Sequence, residues 1–255
     1  MSSFFDFKTV LSALGGDGVI CDRTIPINAV CFSERPLVCQ QSLTNKRDVL
    51  VCGNCSRFLG SVEMQLKLLT RKLSRADIGF DTLSPGEQKL SDIVPCSHKC
   101  GEIYCSVNCL QEHWRKFHNY SCTGHISDAE AASHPLIEFK THAIQTNEIF
   151  LLVADVFSLI LNELSSSASE ERKSETYDLL QTYVRELWVD AAVAPAGTNP
   201  GELRVTLRKL ATESWKKLNV AYDLKSKKLD SLLSNEYLSR YCIVNSTVLS
   251  SSHHL

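Results

Sequence analysis

Between Cys52 and Cys122 the chain carries eight metal-capable side chains in four close pairs: Cys52/Cys55, Cys96/Cys100, Cys105/Cys109 and His118/Cys122. No other stretch constrains the fold so strongly, because seven thiols and one imidazole complete two tetrahedral zinc sites with no ligand left over. Each site would be closed by four protein ligands, with no open position for a reacting water, so the metal is expected to be structural. Unligated buried cysteines are the plain alternative, since thiols are among the most buried side chains. Four pairs in close order argue against it.

Local patterns support the pairs. Asp48-Val49-Leu50-Val51 reads as a short strand leading into Cys52-Gly53-Asn54-Cys55, where Gly-Asn allows a tight knuckle. Cys96-Ser97-His98-Lys99-Cys100-Gly101 reads as a second knuckle. From Ser106 the sequence turns helical, and Cys105/Cys109 and His118/Cys122 have the i, i+4 spacing that shares a helix face. His98 and His113 compete for the imidazole position; His118 is preferred because it alone forms such a pair with Cys122, and His113 is expected to be a solvated helix residue. Between the knuckles, Val62, Leu66, Leu69 and Leu73 recur at helical spacing before Ser84-Pro85-Gly86 ends the pattern, predicting a helical insertion.

The flanks differ from each other. The segment from Phe4 to Leu14 receives no assignment. After a turn at Gly15-Gly16-Asp17-Gly18, the short apolar runs 19–21, 25–27, 29–32 and 36–39 predict a small antiparallel sheet. Beyond Cys122 the pattern is helical: a buried helix over Ile149 to Leu164, a polar linker at 165–169, and an amphipathic helix through Tyr177, Leu180, Val184 and Leu187. A third helix is capped at Asn199-Pro200 and carries Leu207, Leu210, Ser214, Leu218 and Ala221 on one face beside Trp215; a fourth starts near Leu229. Asp155, inside the apolar helix, is expected to meet a polar partner. Cys21, Cys31, Cys39 and Cys242 are expected to be packed, unligated thiols.

With 255 residues, 44% of them apolar, the chain is long enough to bury a sizeable core. Its opening residues have neither a basic start nor a long apolar run, so eleven cysteines point to a reducing intracellular setting, nucleus or cytoplasm. The longest apolar run, Ile149 to Leu161, is too short to span a bilayer, and no membrane partner is expected. The formal charge of −2 becomes more negative once thiolates hold zinc, so no electrostatic ground exists for nucleic-acid binding.

The order C-x2-C, C-x3-C, x4, C-x3-C, x8, H-x3-C, with Tyr104 before Cys105 and Trp114 before the histidine, resembles the MYND zinc finger. RING and PHD fingers do not usually combine a C-x3-C pair with a terminal H-x3-C, which leaves a RING-like ubiquitin ligase as a weaker alternative. The resemblance implies interleaved pairs: Cys52, Cys55, Cys105 and Cys109 on one zinc, Cys96, Cys100, His118 and Cys122 on the other. Two departures are the C-x3-C at Cys96/Cys100 and one extra residue before His118, where C-x2-C and x7 are commoner.

Gly16-Asp17-Gly18-Val19-Ile20-Cys21 and Ser33-Glu34-Arg35-Pro36-Leu37-Val38 resemble the opening strands of a SET domain. Cys52 to Ser61 and Thr146 to Leu152 are similar to the plant trithorax-related type among the SET-and-MYND protein lysine methyltransferases, and the similarity runs from about Gly15 to about Leu238. It implies a methyl transfer from S-adenosylmethionine, with Gly16 and Gly18 helping to hold that cofactor, although Asp17 stands where a basic residue is common. The family's Asn-His-Ser-Cys-x-Pro-Asn segment, catalytic tyrosine and cysteine-rich segment should follow the helical insertion, and they are not reached before Leu255. No catalytic residue is therefore named, and the 255 residues are expected to lack activity alone.

The resulting expectation is an α+β chain: N-terminal partial SET strands over 1–47, a two-zinc MYND finger with its insertion over 48–125, and a helical region over 126–255 that frays from about 246. Its expected role is a protein-interaction module taking a protein or a proline-containing peptide. The alternative is a histone or protein lysine methyltransferase, active once the remaining SET half is supplied.

Overall fold

The structure, a computed structural model, describes residues 2–3, 6–11, 17–33, 35–78, 86–165, 171 and 192–223. It is a mixed α/β fold of short antiparallel strand pairs, helices and two cysteine-rich clusters. Two compact units divide it, Met1–Leu37 and Val38–Leu255.

In the first unit β1 (Ser2–Ser3) pairs with β4 (Phe32–Ser33), and β2 (Phe7–Leu11) with β3 (Asp17–Cys21), both antiparallel. The predicted single sheet is thus two separate ribbons among the described residues. The runs 25–27 and 36–39 form no strand, consistent with Pro26 and Pro36 lacking the N–H a ladder needs. The unassigned opening segment supplies β2, whose Phe7 ring meets Phe32 edge-on at 6.0 Å.

The second unit holds two apolar cores. One surrounds the cysteines and includes Leu50, Leu59, Met64, Leu68, Ile103 and Tyr104. Its elements are β5 (Gly60–Ser61), α1 (Val62–Leu69), β6 (Lys89–Ser91), β7 (Val94–Pro95), β8 (Ile103–Tyr104) and α2 (Val107–His113). The expected strand at Asp48 to Val51 reduces to a single bridge, Val51 to Phe58.

Helix α1 starts where Ser61 Oγ accepts the Met64 N–H at 3.1 Å. It confirms the predicted insertion but buries a different face: Met64, Gln65 and Leu68 point inward, whereas Leu66 and Leu69 are each 55% exposed. Gln65 explains the rotation. Its Nε2 donates to the carbonyls of Leu50 and Leu59, both at 2.8 Å, and its Oε1 accepts the Leu50 N–H at 3.1 Å. Those buried backbone groups need partners more than two leucines need burial.

The second core is helical. It packs α5 (Pro135–Gln145), α6 (Ile149–Ser165) and α7 (Pro200–Ala221) around Phe139, Phe150, Phe157, Leu161 and Leu218. As expected, α6 is buried nearly all round. Helix α7 begins as predicted: Asn199 Oδ1 accepts the Gly201 N–H at 2.9 Å, with Pro200 in the first turn. Ala211, Ser214 and Leu218 form its buried face, flanked by Leu207, Leu210, Trp215 and Ala221. His142 Nε2 and Ser214 Oγ, 2.7 Å apart, join α5 to α7. The predicted linker at 166–169, the helix through Tyr177 to Leu187 and the helix from Leu229 with its tail lie outside the described residues. No described helix is long and apolar enough to cross a membrane.

Candidate metal centre

The fold gathers the eight predicted side chains into two groups, Cys52/Cys55/Cys105/Cys109 and Cys96/Cys100/His118/Cys122, and within each group all ligand atoms lie inside 4.8 Å. The pairs therefore interleave: each centre joins one knuckle to one later pair.

Backbone turns aim the knuckle sulfurs. In the first, the Ser56 N–H donates to the Cys52 carbonyl at 2.9 Å and the Cys52 N–H to Arg57 at 2.9 Å; in the second, Lys99 N–H donates to Cys96 at 2.9 Å and Cys96 N–H to Glu102 at 2.8 Å. The left-handed residues are Ser56 (φ 57°) in the first knuckle and Lys99 (φ 56°) and Gly101 (φ 90°) in the second, so Gly53 is not there for its φ. It is there for close approach: a Cβ at Gly53 would stand 3.0 Å from Glu102 Oε1 and 3.2 Å from its Cγ.

Glu102 passes beneath the knuckle to reach Lys46 Nζ at 2.6 Å. Burial raises the Glu102 carboxyl, yet the Lys46 ammonium outweighs it and holds the group down at about 2. Arg75 extends this support, donating to the Lys46 carbonyl at 2.6 Å and to Gly101 at 3.0 Å.

The later pairs are positioned differently from the expected i, i+4 faces. Cys105 precedes α2, while Ser106 caps that helix by accepting the Cys109 N–H at 3.2 Å, which fixes Cys109 in the first turn. His118 ends a π-helical turn, Trp114–His118, and Cys122 lies in extended backbone beyond α3 (Asn119–Ser121). The π turn holds one residue more per turn than an α turn, which absorbs the extra residue of the x8 spacing and brings His118 back to face Cys96 and Cys100.

The distances suit zinc. Around a tetrahedral ion, Zn–S bonds near 2.3 Å place sulfurs ~3.8 Å apart and a sulfur and an imidazole nitrogen ~3.5 Å apart. Cys55 and Cys105 sulfurs are separated by 3.7 Å, Cys105 and Cys109 by 3.4 Å, Cys96 and Cys122 by 3.9 Å. His118 Nε2 is 3.4 Å from Cys96 Sγ and 3.2 Å from Cys100 Sγ. Without metal only some of the thiols are held back from ionising: burial first pushes Cys105 up to about 12, and the hydrogen bond with Cys122 together with burial pushes Cys100 up to about 11, whereas that same bond brings Cys122 down. A dication reverses that preference and stabilises the thiolates.

Outer contacts hold His118 in place. Its Nδ1 meets Ser121 Oγ at 3.3 Å, and its ring stacks on His113 at 5.3 Å. His113 is buried, not solvated, and its Nδ1 lies 3.0 Å from the Tyr104 hydroxyl. Burial drops His113 to about 4, and burial pushes Tyr104 well up, so a protonated hydroxyl donates to a neutral ring. Aromatic Tyr104 next to a ligand was visible in the sequence, but its partner was not.

The remaining candidates sit elsewhere. Gly18 lies in β3 opposite Val10, and Gly16 is outside the described residues. Cys21, Cys31 and Cys39 are half-buried, not core thiols; Cys39 Sγ contacts Ser56 Oγ at 2.8 Å. Asp155 does meet a polar partner, since Gln40 Nε2 donates to its Oδ2 at 2.7 Å. Its Oδ1 is buried with no protein partner among the described residues, in the wall of a cavity of about 50 Å³ that has room for ordered water. Burial pushes this carboxyl up to about 7.

No protein-family profile matches the chain, and no solved structure matches it. Among curated proteins it is similar to histone-lysine N-methyltransferase ATXR2 of Arabidopsis thaliana, 26% identical over 85% of this chain and 59% of that protein. It is also similar to protein-lysine N-trimethyltransferase SMYD5 of Gallus gallus, 28% identical over 49% of this chain and 29% of that protein. The chain thus spans less than two thirds of the length of either relative. The chain is thus similar to two lysine methyltransferases, and its paired cysteine clusters stand in the MYND order, a likeness that supports kinship with the SET-and-MYND type.

Proposed function

We propose that residues 48–125 form a MYND-type interaction module in which Cys52, Cys55, Cys105 and Cys109 hold one structural zinc, and Cys96, Cys100, His118 and Cys122 a second. Its task is to dock a short proline-containing segment of a partner protein. The observation that carries this reading is an apolar groove of about 240 Å³ beside the second centre, lined by Cys96, Ser97, His98, Leu110, Gln111, Trp114 and His118. Trp114 and His98 stack face to face at 4.4 Å, 9° from parallel, making a rigid flat wall. A proline ring packs against such a face at little entropic cost, because its backbone is already restricted.

The test is binding of proline-containing peptides to the zinc-loaded chain, followed by calorimetry. Trp114→Ala should abolish binding while two zinc ions per chain remain; peptide binding that is unaffected by Trp114→Ala, or by replacing the peptide's prolines with alanine, overturns the reading.

A second reading concerns the whole protein: lysine methylation using S-adenosylmethionine, on histone or another protein substrate, with Gly16 and Gly18 near the cofactor. The names of the two relatives support it. So does the β2–β3 ribbon, which exposes Leu11, Val19 and Ile20 and is marginal as an isolated pair; further SET strands would cover those residues. The histone named for the plant relative favours a nuclear location. Incubation with labelled S-adenosylmethionine and histones separates the readings: labelled product from the 255 residues alone would overturn the expectation that a further SET half is required.

A further inference from the structure

The two cysteine clusters differ in a way that their shared ligand chemistry hides. In the Cys52 group, Cys52 is buried, Cys105 and Cys109 are half-buried and Cys55 is exposed. In the Cys96 group, Cys96 and His118 are buried, Cys100 and Cys122 are half-buried and no ligand is exposed, with buried Tyr104, His113 and Phe117 packed nearby. Charge runs the same way: four thiolates on one dication leave a net charge of roughly −2, against roughly −1 for three thiolates and an imidazole. The first centre therefore combines access with electron-rich sulfur, which is what determines thiolate reactivity toward oxidants.

Building on the zinc reading above, we propose that the Cys52/Cys55/Cys105/Cys109 centre is a peroxide-responsive site that releases its zinc before the other centre and closes a Cys55–Cys105 disulfide. The Cys55 thiolate attacks one oxygen of hydrogen peroxide, the O–O bond breaks, and sulfenic acid and hydroxide form. The Cys105 thiolate, whose sulfur lies 3.7 Å away, then attacks the Cys55 sulfur and expels a second hydroxide. In sum, two thiolates lose two electrons, peroxide is reduced to two hydroxides, and zinc passes to solvent as its ligands are consumed. The peptide groove is lined by residues of the second centre, Cys96 and His118, and by none of the first centre's ligands, so this step, which ties Cys55 to Cys105 and frees Cys52 and Cys109 from zinc, leaves the second centre beside the groove intact.

The experiment uses the full chain, first assayed for metal. Fewer than two zinc ions before oxidant would overturn the zinc reading itself. With two bound, hydrogen peroxide is added beside a chromogenic zinc indicator, and cysteines are mapped by alkylation and mass spectrometry. The expected result is release of one equivalent about tenfold faster than the second, accompanied by a Cys55–Cys105 disulfide and protected Cys96, Cys100 and Cys122. Cys55→His, which keeps a zinc ligand but removes the exposed thiolate, should slow that first release. In case this variant does not fold, limited N-ethylmaleimide on the unaltered chain should label Cys55 first among the seven ligand cysteines. Equal release from both centres, or first oxidation or labelling within the Cys96 group, overturns the proposal.

Discussion

Gln65 and Leu50, fifteen residues apart, are joined by a reciprocal pair of hydrogen bonds: the side-chain amide of Gln65 accepts the Leu50 N–H at 3.1 Å and donates to the Leu50 carbonyl at 2.8 Å. A side chain here does the work of a neighbouring strand, anchoring the insertion helix to the residues that lead into the first knuckle. Gln65→Leu keeps the bulk and removes three hydrogen bonds, stranding buried backbone groups at Leu50 and Leu59, and should cost about 2–4 kcal/mol. Urea unfolding of the zinc-loaded protein measures this; an unchanged midpoint would show that the amide is not structural.

Asp155 sets a pH dependence. Its carboxyl titrates near 7 in the fold, against roughly 3.9 in the unfolded chain, so between those values the native state keeps a proton that the unfolded state has lost. Its contribution to stability accordingly falls as pH rises from about 4 to about 7 and stays low above that. Asp155→Asn removes the penalty and should stabilise the protein by about 2–4 kcal/mol at pH 8, with less than half that gain at pH 5. A gain that is equal at both pH values, or larger at pH 5, contradicts the assignment.

The Tyr104 hydroxyl supports His113, which in turn stacks on His118. Tyr104→Phe leaves a buried imidazole nitrogen without its donor and should lower stability by about 1–2 kcal/mol, with both zinc ions retained. Loss of the second zinc in this variant would instead make the tyrosine essential to metal binding.

The π turn predicts an unusual tolerance. Removing the exposed Arg115 should let Trp114–His118 relax to an α turn with His118 still facing Cys96 and Cys100, and two zinc ions should remain. Removing Arg115 and Lys116 together rotates His118 away by about 100° and should leave one. Zinc content of the two deletion variants reads the outcome directly, and equal loss in both would contradict the role given to the turn.

At the other end of the chain, Asn199→Ala should cost about 1 kcal/mol through loss of the α7 cap. A thermal melt checks it, and no change in Tm would mean that the first turn is held by other contacts.

These residues also show where local patterns carry information. Asn199-Pro200 announced a helix start, and the Leu207 to Ala221 stripe announced its buried side, because caps and periodicity act within a few residues. In α1 the recurrence of Val62, Leu66, Leu69 and Leu73 finds the helix, but the residues it buries are Met64, Gln65 and Leu68. The deciding contact was to backbone at Leu50 and Leu59, and apolar spacing carries no record of that need. His113 was misplaced for the same reason: its partner, Tyr104, acts across the module and not along the helix.

The amino-acid sequence by itself determined the donor chemistry, seven thiols and one imidazole in four close pairs, since ligand type and short spacing are properties of neighbouring residues. Spacing alone left open which pairs meet; the family resemblance implied their interleaved order. Tertiary structure brought Cys55 to Cys105 across fifty residues and turned His118 toward Cys96 through a π turn. It also left one ligand of the first centre, Cys55, exposed while packing aromatic rings around the other centre. Those outcomes depend on the path of the backbone and on burial, which are set by contacts between segments distant in sequence.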